Sequence, residues 1–215
     1  MKAQRYAQLL CSRLCHDLIT PVSAINSGLE LIEENDSADN EQMLRLTRQS
    51  AETAVRRLVF LRGAFGYTSA SSFGSIEPVF NLIQAYCEPI KIDFRHSSAL
   101  QEADPALYPV LGRILLNLSL IVSEIAPFGG TYTLTVVQDE GQLKVGISLE
   151  GNIVELRSDL SKALLNQISE ADVTSQTIQA FMTGELIRDL GAQFVLHEST
   201  RTSFSCGLIP NPIFK

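Results

Sequence analysis

A histidine, an acidic residue, a threonine and a proline stand close together near the start of this chain, as His16, Asp17, Thr20 and Pro21. A neutral imidazole carries a free ring-nitrogen lone pair near neutral pH and can attack a phosphoryl group directly. The neighbouring carboxylate could activate the ring or could be a solvated side chain, because adjacent helical residues face each other poorly. Thr20 lies one helical turn from the histidine on the same side. These residue types predict nucleophilic chemistry at His16.

The segment around the histidine has the period of an amphipathic helix. Its apolar residues recur at steps of three and four, at Leu14, Leu18, Val22, Ile25, Leu29 and Ile32. A second row is polar and consists of Arg13, His16, Asp17, Thr20, Ser23, Ser27 and Glu30. His16 lies nearly opposite the apolar stripe. We therefore expect it to face water or a partner molecule, with Arg13, Ser23 and Ser27 as candidate partner contacts.

A second amphipathic helix is predicted to begin near Glu41, after a polar turn at residues 34–40. Its apolar or small positions are Leu44, Thr47, Ala51, Ala54, Leu58, Leu61 and Phe65. Two such helices joined by a short turn form an antiparallel hairpin, in which each helix is roughly 40 Å long. A lone hairpin would leave much of its apolar stripe exposed. We therefore expect a homodimer in which two hairpins make a four-helix bundle.

Counting outward from the turn places three residues of the second helix at the height of His16. They are Arg56, Arg57 and Phe60. An arginine at this height could contact a phosphate or a partner's carboxylates. The alternative is that both arginines are solvated and only flank a core position at Leu58.

The run His16, Asp17, Thr20, Pro21 resembles the H-box of two-component histidine kinases, in which the histidine accepts a phosphoryl group. With the flanking segments 10–15 and 24–31, the whole chain is similar to the ChpT-type histidine phosphotransferases of alphaproteobacterial phosphorelays. The resemblance implies that phosphoryl passes from the receiver aspartate of a hybrid histidine kinase to His16. From there it passes to the receiver domains of response regulators.

The resemblance also implies roles for the neighbours of the histidine. Asp17 would help to activate His16, and Thr20 would meet a docked receiver or position water for hydrolysis. The sequence offers no Mg²⁺ site beside His16, whereas phosphoryl transfer needs the moving charge to be neutralised. We therefore expect that this chain binds no cofactor and that the partner receiver domain supplies Mg²⁺.

The chain divides into a helical hairpin at 1–66, a linker rich in glycine and serine at 67–75, and an α/β domain at 76–215. In the α/β domain we predict helices at 79–86, 105–125, 160–167 and 175–190 and strands at 91–95, 131–138, 143–149, 193–197 and 202–208. Strands gathered with helices on one side make an α+β sandwich.

This order of elements resembles the ATP-binding domain of histidine kinases, but the residues that hold nucleotide are replaced. Asn117 keeps the beginning of the family's N-box, whereas Ile121 stands where an asparagine helps to hold Mg²⁺. Leu149 stands where an aspartate reads the adenine, and a helical run around Gly184 replaces the phosphate-binding loop. We expect a degenerate domain that binds no ATP and widens the surface on which a receiver docks.

Composition narrows the partners further. The net charge of −7 lies entirely in residues 67–215, because residues 1–66 carry eight basic and eight acidic side chains. Such an acidic surface does not suit nucleic acid. There is no membrane-spanning apolar run and no signal-peptide pattern, so a cytoplasmic protein is expected. The four cysteines lack CxxC spacing and are expected to be reduced apolar residues.

Three functions remain open from the sequence. The first is a dimeric phosphotransfer protein that relays phosphoryl between receiver domains. The second is an ATP-dependent histidine kinase with divergent nucleotide boxes, and the third is a scaffold that binds receivers without accepting phosphate. ATP binding separates the first two, and loss of transfer on removal of His16 excludes the third.

Overall fold

The computed structural model describes residues 2–34, 40–66, 74–100, 106–139 and 142–210. Two compact units are present, Met1–Arg62 and Gly63–Lys215, so the boundary falls inside the second helix. Most of the predicted linker at 67–75 lies outside the described residues, as does most of the predicted turn at 34–40. A helical unit followed by a mixed sheet with helices makes the chain an α+β protein, as predicted.

The first unit consists of two long helices, α1 at Lys2–Glu34 and α2 at Asn40–Phe65, whose last turn belongs to the second unit. Two contacts define how the helices pair. Gly28 of α1 leaves no room for a Cβ atom against the side chain of Thr47, and Arg57 donates a hydrogen bond to the backbone of Asp17. Gly28 follows Asp17 along α1, whereas its partner Thr47 precedes Arg57 along α2. The helices are therefore antiparallel, as the sequence predicts.

The pairing of the two helices buries part of the predicted apolar stripes and leaves part exposed. Thr47, Ala54 and Leu61 are buried, whereas Leu58 of the same predicted stripe is exposed. On both helices large apolar side chains stay exposed at spacings of three, seven or eleven residues, each close to whole helical turns. They are Ile19, Val22, Leu29, Leu44, Val55 and Leu58. Contact between two helices covers only part of so wide a stripe, which is why these residues remain exposed.

The second unit contains every element predicted for it, with shifts at the ends. Four α-helices follow the hairpin, namely α3 Glu77–Cys87, α4 Leu107–Ile125, α5 Ser158–Leu164 and α6 Ile178–Asp189. The five strands are β1 Ile92–Ala99, β2 Gly130–Asp139, β3 Gln142–Glu150, β4 Ala192–Ser199 and β5 Ser203–Pro210. β1 runs four residues further than predicted, and α5 ends three residues earlier.

The strands form one mixed sheet in the order β1-β2-β3-β5-β4. Only β1 and β2 run parallel, and the other neighbouring pairs are antiparallel. Along β2 the side chains of Tyr132, Leu134 and Val136 are buried, while the threonines between them are partly exposed. This alternation indicates a sheet with one face turned to the core.

Helix α4 is the core helix of this unit. By length and composition alone it could cross a membrane, but 72% of its apolar window is buried within the protein. Helices α3 and α6 both contact α4. The buried α4 is therefore explained by packing within the unit.

Candidate functional site

His16 lies on the outer face of α1, where 83% of its side chain is exposed. Thr20, Ser23 and Ser27 are also exposed, and they continue the same polar row along the helix. The predicted amphipathic helix therefore presents the histidine to solvent. In the described part of the hairpin the imidazole stays largely uncovered, so a second protein can reach it.

The carboxylate of Asp17 touches two cations or potential cations. Its Oδ1 lies 3.2 Å from Nδ1 of His16, and its Oδ2 accepts a hydrogen bond of 3.0 Å from Nε of Arg13. An ionised carboxylate can only accept, so Nδ1 of His16 is the donor in this contact. The lone pair then resides on Nε2, the nitrogen that points away from Asp17. This arrangement favours the tautomer whose lone pair on Nε2 faces away from Asp17.

Arg13 holds the carboxylate in place. The side chains of Arg13 and Asp17 are each only 17% exposed and lie one helical turn apart. The sequence places them both on the polar row, yet both are far less exposed than His16. Arg13 is therefore placed to orient Asp17, and its predicted contact with a partner stays a prediction.

Arg57 of α2 reaches the backbone of α1 at the residue after His16. Its Nη1 donates a hydrogen bond of 2.9 Å to the carbonyl oxygen of Asp17. The predicted height of Arg57 relative to His16 therefore agrees with this contact. Arg56 is exposed at the adjacent position of α2.

Phe60 does not share this surface. It was expected at the height of His16 as a partner contact, but its side chain is only 1% exposed. A docked protein would not reach the ring, so Phe60 leaves the set of candidate contacts. Height along a helix is visible in the sequence, whereas burial of a single ring depends on tertiary packing.

The second unit contains a buried polar cluster at the segment that resembles an N-box. The side-chain amide of Asn117 donates hydrogen bonds of 2.8 Å to the carbonyl oxygens of Ala64 and Arg113. Gln179 of α6 donates to the backbone oxygen of Asn117 at 2.7 Å and to its Oδ1 at 3.2 Å. Asn117 and Gln179 are 3% and 2% exposed. Sequence reasoning missed Gln179, whose one signal is an amide within a mostly apolar stretch of helix.

Other positions of the resembling boxes are also part of the core. Ile121 and Leu149 are buried. Gly184 lies in α6, where an added Cβ atom would collide with the backbone carbonyl of Leu164 in α5. The glycine therefore permits close packing of two helices.

The cysteines and the other histidines have no assigned role in the chemistry expected at His16. All four cysteines are free, and burial raises the pKa of Cys87 to about 12 and also raises that of Cys206. His96 stacks on Phe80 with ring centroids 4.3 Å apart. Within the described residues, no group of three or more His, Cys, Asp or Glu side chains is placed to hold a metal ion.

Comparisons with known proteins show similarity over most of the chain. Residues 82–202 match the family model described as the histidine phosphotransferase C-terminal domain. The protein phosphotransferase ChpT of Brucella abortus (strain 2308) is 30% identical over 193 residues, which cover 88% of each chain.

Solved structures extend the similarity to the fold. The structure of a bacterial phosphotransferase matches with a TM-score of 0.80 and 26% identity, covering 97% of both chains. A histidine kinase domain from Erythrobacter litoralis matches with a TM-score of 0.47 and 13% identity, covering 88% of this chain and 95% of that one. The phosphotransferase similarity therefore covers both units of the chain.

Proposed function

The chain belongs to the histidine phosphotransferase family, and from that premise we propose that His16 is its phosphoryl acceptor. Phosphoryl passes from the receiver aspartate of a hybrid histidine kinase to His16, and then to receiver domains of response regulators. One observation carries this assignment. The imidazole of His16 is 83% exposed and its Nδ1 contacts Asp17, so in the neutral ring Nε2 is the accessible nitrogen on which this contact favours the lone pair.

In the first step the Nε2 lone pair attacks the phosphorus of the aspartyl phosphate. The N–P bond forms as the P–O bond to the aspartate breaks, and the electron pair leaves with the carboxylate oxygen. The imidazole ring keeps its Nδ1 proton and gains a positive charge, which the carboxylate of Asp17 stabilises. Attack by the carboxylate of the second receiver reverses these changes and restores neutral His16.

The exposed polar row of α1 is the proposed docking surface for both receivers. Thr20, Ser23 and Ser27 lie along it, and Arg56 adds a basic side chain from α2. Mg²⁺ would arrive with the receiver, whose acidic site binds the metal and neutralises the moving charge. Whether Thr20 also supports hydrolysis would be seen in the loss of phosphate from a receiver after transfer.

We further propose that two copies of the chain pair through their hairpins. Six exposed apolar residues of α1 and α2 recur close to whole helical turns and make a stripe suited to a four-helix bundle; they are Ile19, Val22, Leu29, Leu44, Val55 and Leu58. Monomeric soluble proteins rarely expose large contiguous apolar patches, and such patches mark interaction sites. A second copy presents a matching stripe, because a two-fold interface uses the same patch on each subunit.

The second unit is proposed to bind no ATP and to contribute docking surface for receivers. The polar atoms of the Asn117 side chain already have partners inside the protein, and Ile121 and Leu149 offer no ligand atoms. Calorimetry with Mg·ATP at millimolar concentration is expected to give no heat of binding. Saturable binding together with labelling of His16 would make the protein a kinase instead.

The central test uses a receiver domain phosphorylated with radioactive phosphate. The unaltered protein should acquire acid-labile, alkali-stable label, as expected for phosphohistidine, and His16→Ala should acquire none. His197→Ala is the matched control and should be labelled like the unaltered protein, because His197 is exposed on β4 but should accept no phosphate. Label on the His16→Ala protein would disprove the assignment. Because His16 is exposed, the variant should keep the melting temperature of the unaltered protein.

A further inference from the structure

Pro21 interrupts the hydrogen bonding of α1 at one carbonyl. In an α-helix each carbonyl oxygen accepts from the N–H four residues later, and proline has no N–H. Pro21 lies inside α1, so the carbonyl oxygen of Asp17 has lost its usual helical donor. Pro21 is buried, so water does not readily replace the missing donor. The free carbonyl belongs to the residue directly after His16.

Arg57 supplies the donor that Pro21 lacks. Its Nη1 lies 2.9 Å from the Asp17 oxygen, and the side chain is partly buried between the two helices. Within the described residues Arg57 has no carboxylate partner, so one backbone oxygen holds its guanidinium. A guanidinium carries five N–H donors, and a single hydrogen bond leaves the others available.

We propose that Arg57 contacts the phosphoryl group during transfer and that Pro21 positions it by freeing the Asp17 carbonyl. This inference rests on the proposed function of His16. The carbonyl fixes one edge of the guanidinium next to the phospho-acceptor, and the remaining N–H groups meet phosphoryl oxygens. Phosphoryl transfer depends on placement and on stabilisation of the charge on these oxygens, and a planar guanidinium binds them well.

The first test measures transfer from a phosphorylated receiver to the full chain over a range of receiver concentrations. Arg57→Gln removes the charge, and the maximal rate should fall about tenfold or more. The receiver concentration that gives half of this rate should stay unchanged, because the arginine acts on the phosphoryl group. Arg45→Gln is the control, since Arg45 has the same charge on the same helix, is 65% exposed and, among the described residues, pairs with Glu41. It should leave both values unchanged.

The second test asks whether Pro21 and Arg57 act together. Pro21→Ala restores the N–H that competes for the Asp17 carbonyl, so the maximal rate should fall about fivefold or more, as expected when a stabilising group loses its placement. Its melting temperature should rise, since proline destabilises a helix interior. The double variant should transfer at the rate of Arg57→Gln alone, because residues that act through one contact are not additive.

The outcomes separate this inference from the proposed function. If His16→Ala abolishes labelling but Arg57→Gln transfers at the full rate, the role of Arg57 is wrong and that of His16 stands. A rise only in the half-saturating receiver concentration would also overturn the phosphoryl contact. If the two substitutions lower the rate independently, Pro21 does not position Arg57. If Arg57→Gln fails to fold, the transfer rate of Pro21→Ala decides. A full rate in that variant contradicts the inference.

Discussion

His16 and Asn117 both lie in segments that resemble boxes of histidine kinases, and the two units of the protein use them in opposite ways. In the hairpin, the imidazole is exposed and its one contact, at 3.2 Å with Asp17, favours the tautomer protonated at Nδ1. In the second unit, the amide is buried and all of its contacts are with the protein's own backbone and with Gln179. The proposed phospho-acceptor lies at the surface, whereas the asparagine lies within the core of the second unit.

This difference separates stability from activity along the chain. Removing an exposed side chain leaves no cavity and no unpaired group, so substitution at His16 should affect transfer alone. Removing a buried amide leaves several polar atoms without partners, which costs free energy whatever the protein does. Variants of the second unit should therefore lose stability first, and variants of the polar row of α1 should lose transfer first.

The largest effect is expected for a charge placed in the apolar stripe of the hairpin. Leu58 is 49% exposed in the single chain, and the proposed dimer would bury it. Burying an unpaired carboxylate in an apolar interface costs several kcal/mol, so Leu58→Glu should weaken dimerisation by about a hundredfold or more. Sedimentation velocity over a range of protein concentrations measures this change.

Leu46 offers a matched control for that experiment. It is also 49% exposed on α2, but lies about 120° around the helix from Leu58. Leu46→Glu should leave the dimer intact. An unaltered protein that sediments as a monomer at micromolar concentration would contradict the proposed dimer, as would equal weakening by both substitutions.

An intermediate effect is expected for Asn117→Ala, which tests the other side of the comparison. The substitution removes two donated hydrogen bonds and one acceptor of Gln179, so the free energy of unfolding of the second unit should fall by about 2–4 kcal/mol. Urea unfolding followed by circular dichroism measures the loss. At temperatures where the variant is folded, transfer to His16 should continue at the normal rate.

Asn152→Ala is the control, because Asn152 is an exposed asparagine of the same unit. Its stability should change by less than about 0.5 kcal/mol. If Asn117→Ala is as stable as this control, the buried cluster does not hold α4 and α6 together. A full loss of transfer in a folded Asn117→Ala protein would instead place Asn117 in the reaction.

The elements of both units could be predicted because their signals are local. Periods of two and of three to four residues identify strands and helices, and counting from the turn gave the height of Arg57. The contact between His16 and Asp17 was less visible, since neighbours on a helix face each other poorly. It forms because Arg13, one turn earlier, holds the short carboxylate back towards the ring.

The sequence could not predict features that depend on tertiary burial. Phe60 has the right height along α2, but its ring is buried. The carbonyl that Arg57 binds is a backbone group, which no side-chain pattern reports. The one sequence signal for this carbonyl is Pro21, which lies four residues after Asp17 and removes its helical donor. Gln179 required knowledge that α6 packs on α4.

The smallest effect we expect concerns Gly184, where a histidine kinase would bring glycine-rich backbone to phosphates. Here a Cβ atom would meet the carbonyl of Leu164, so Gly184→Ala must push α6 away from α5. Overpacking of this kind costs about 1–3 kcal/mol, measured as in the Asn117 experiment. Gly146→Ala is the control, because its Cβ would lie 3.9 Å from Thr135, an ordinary contact. An unchanged stability in Gly184→Ala would show that the glycine is not kept for packing, and a phosphate-binding role would then have to be tested directly.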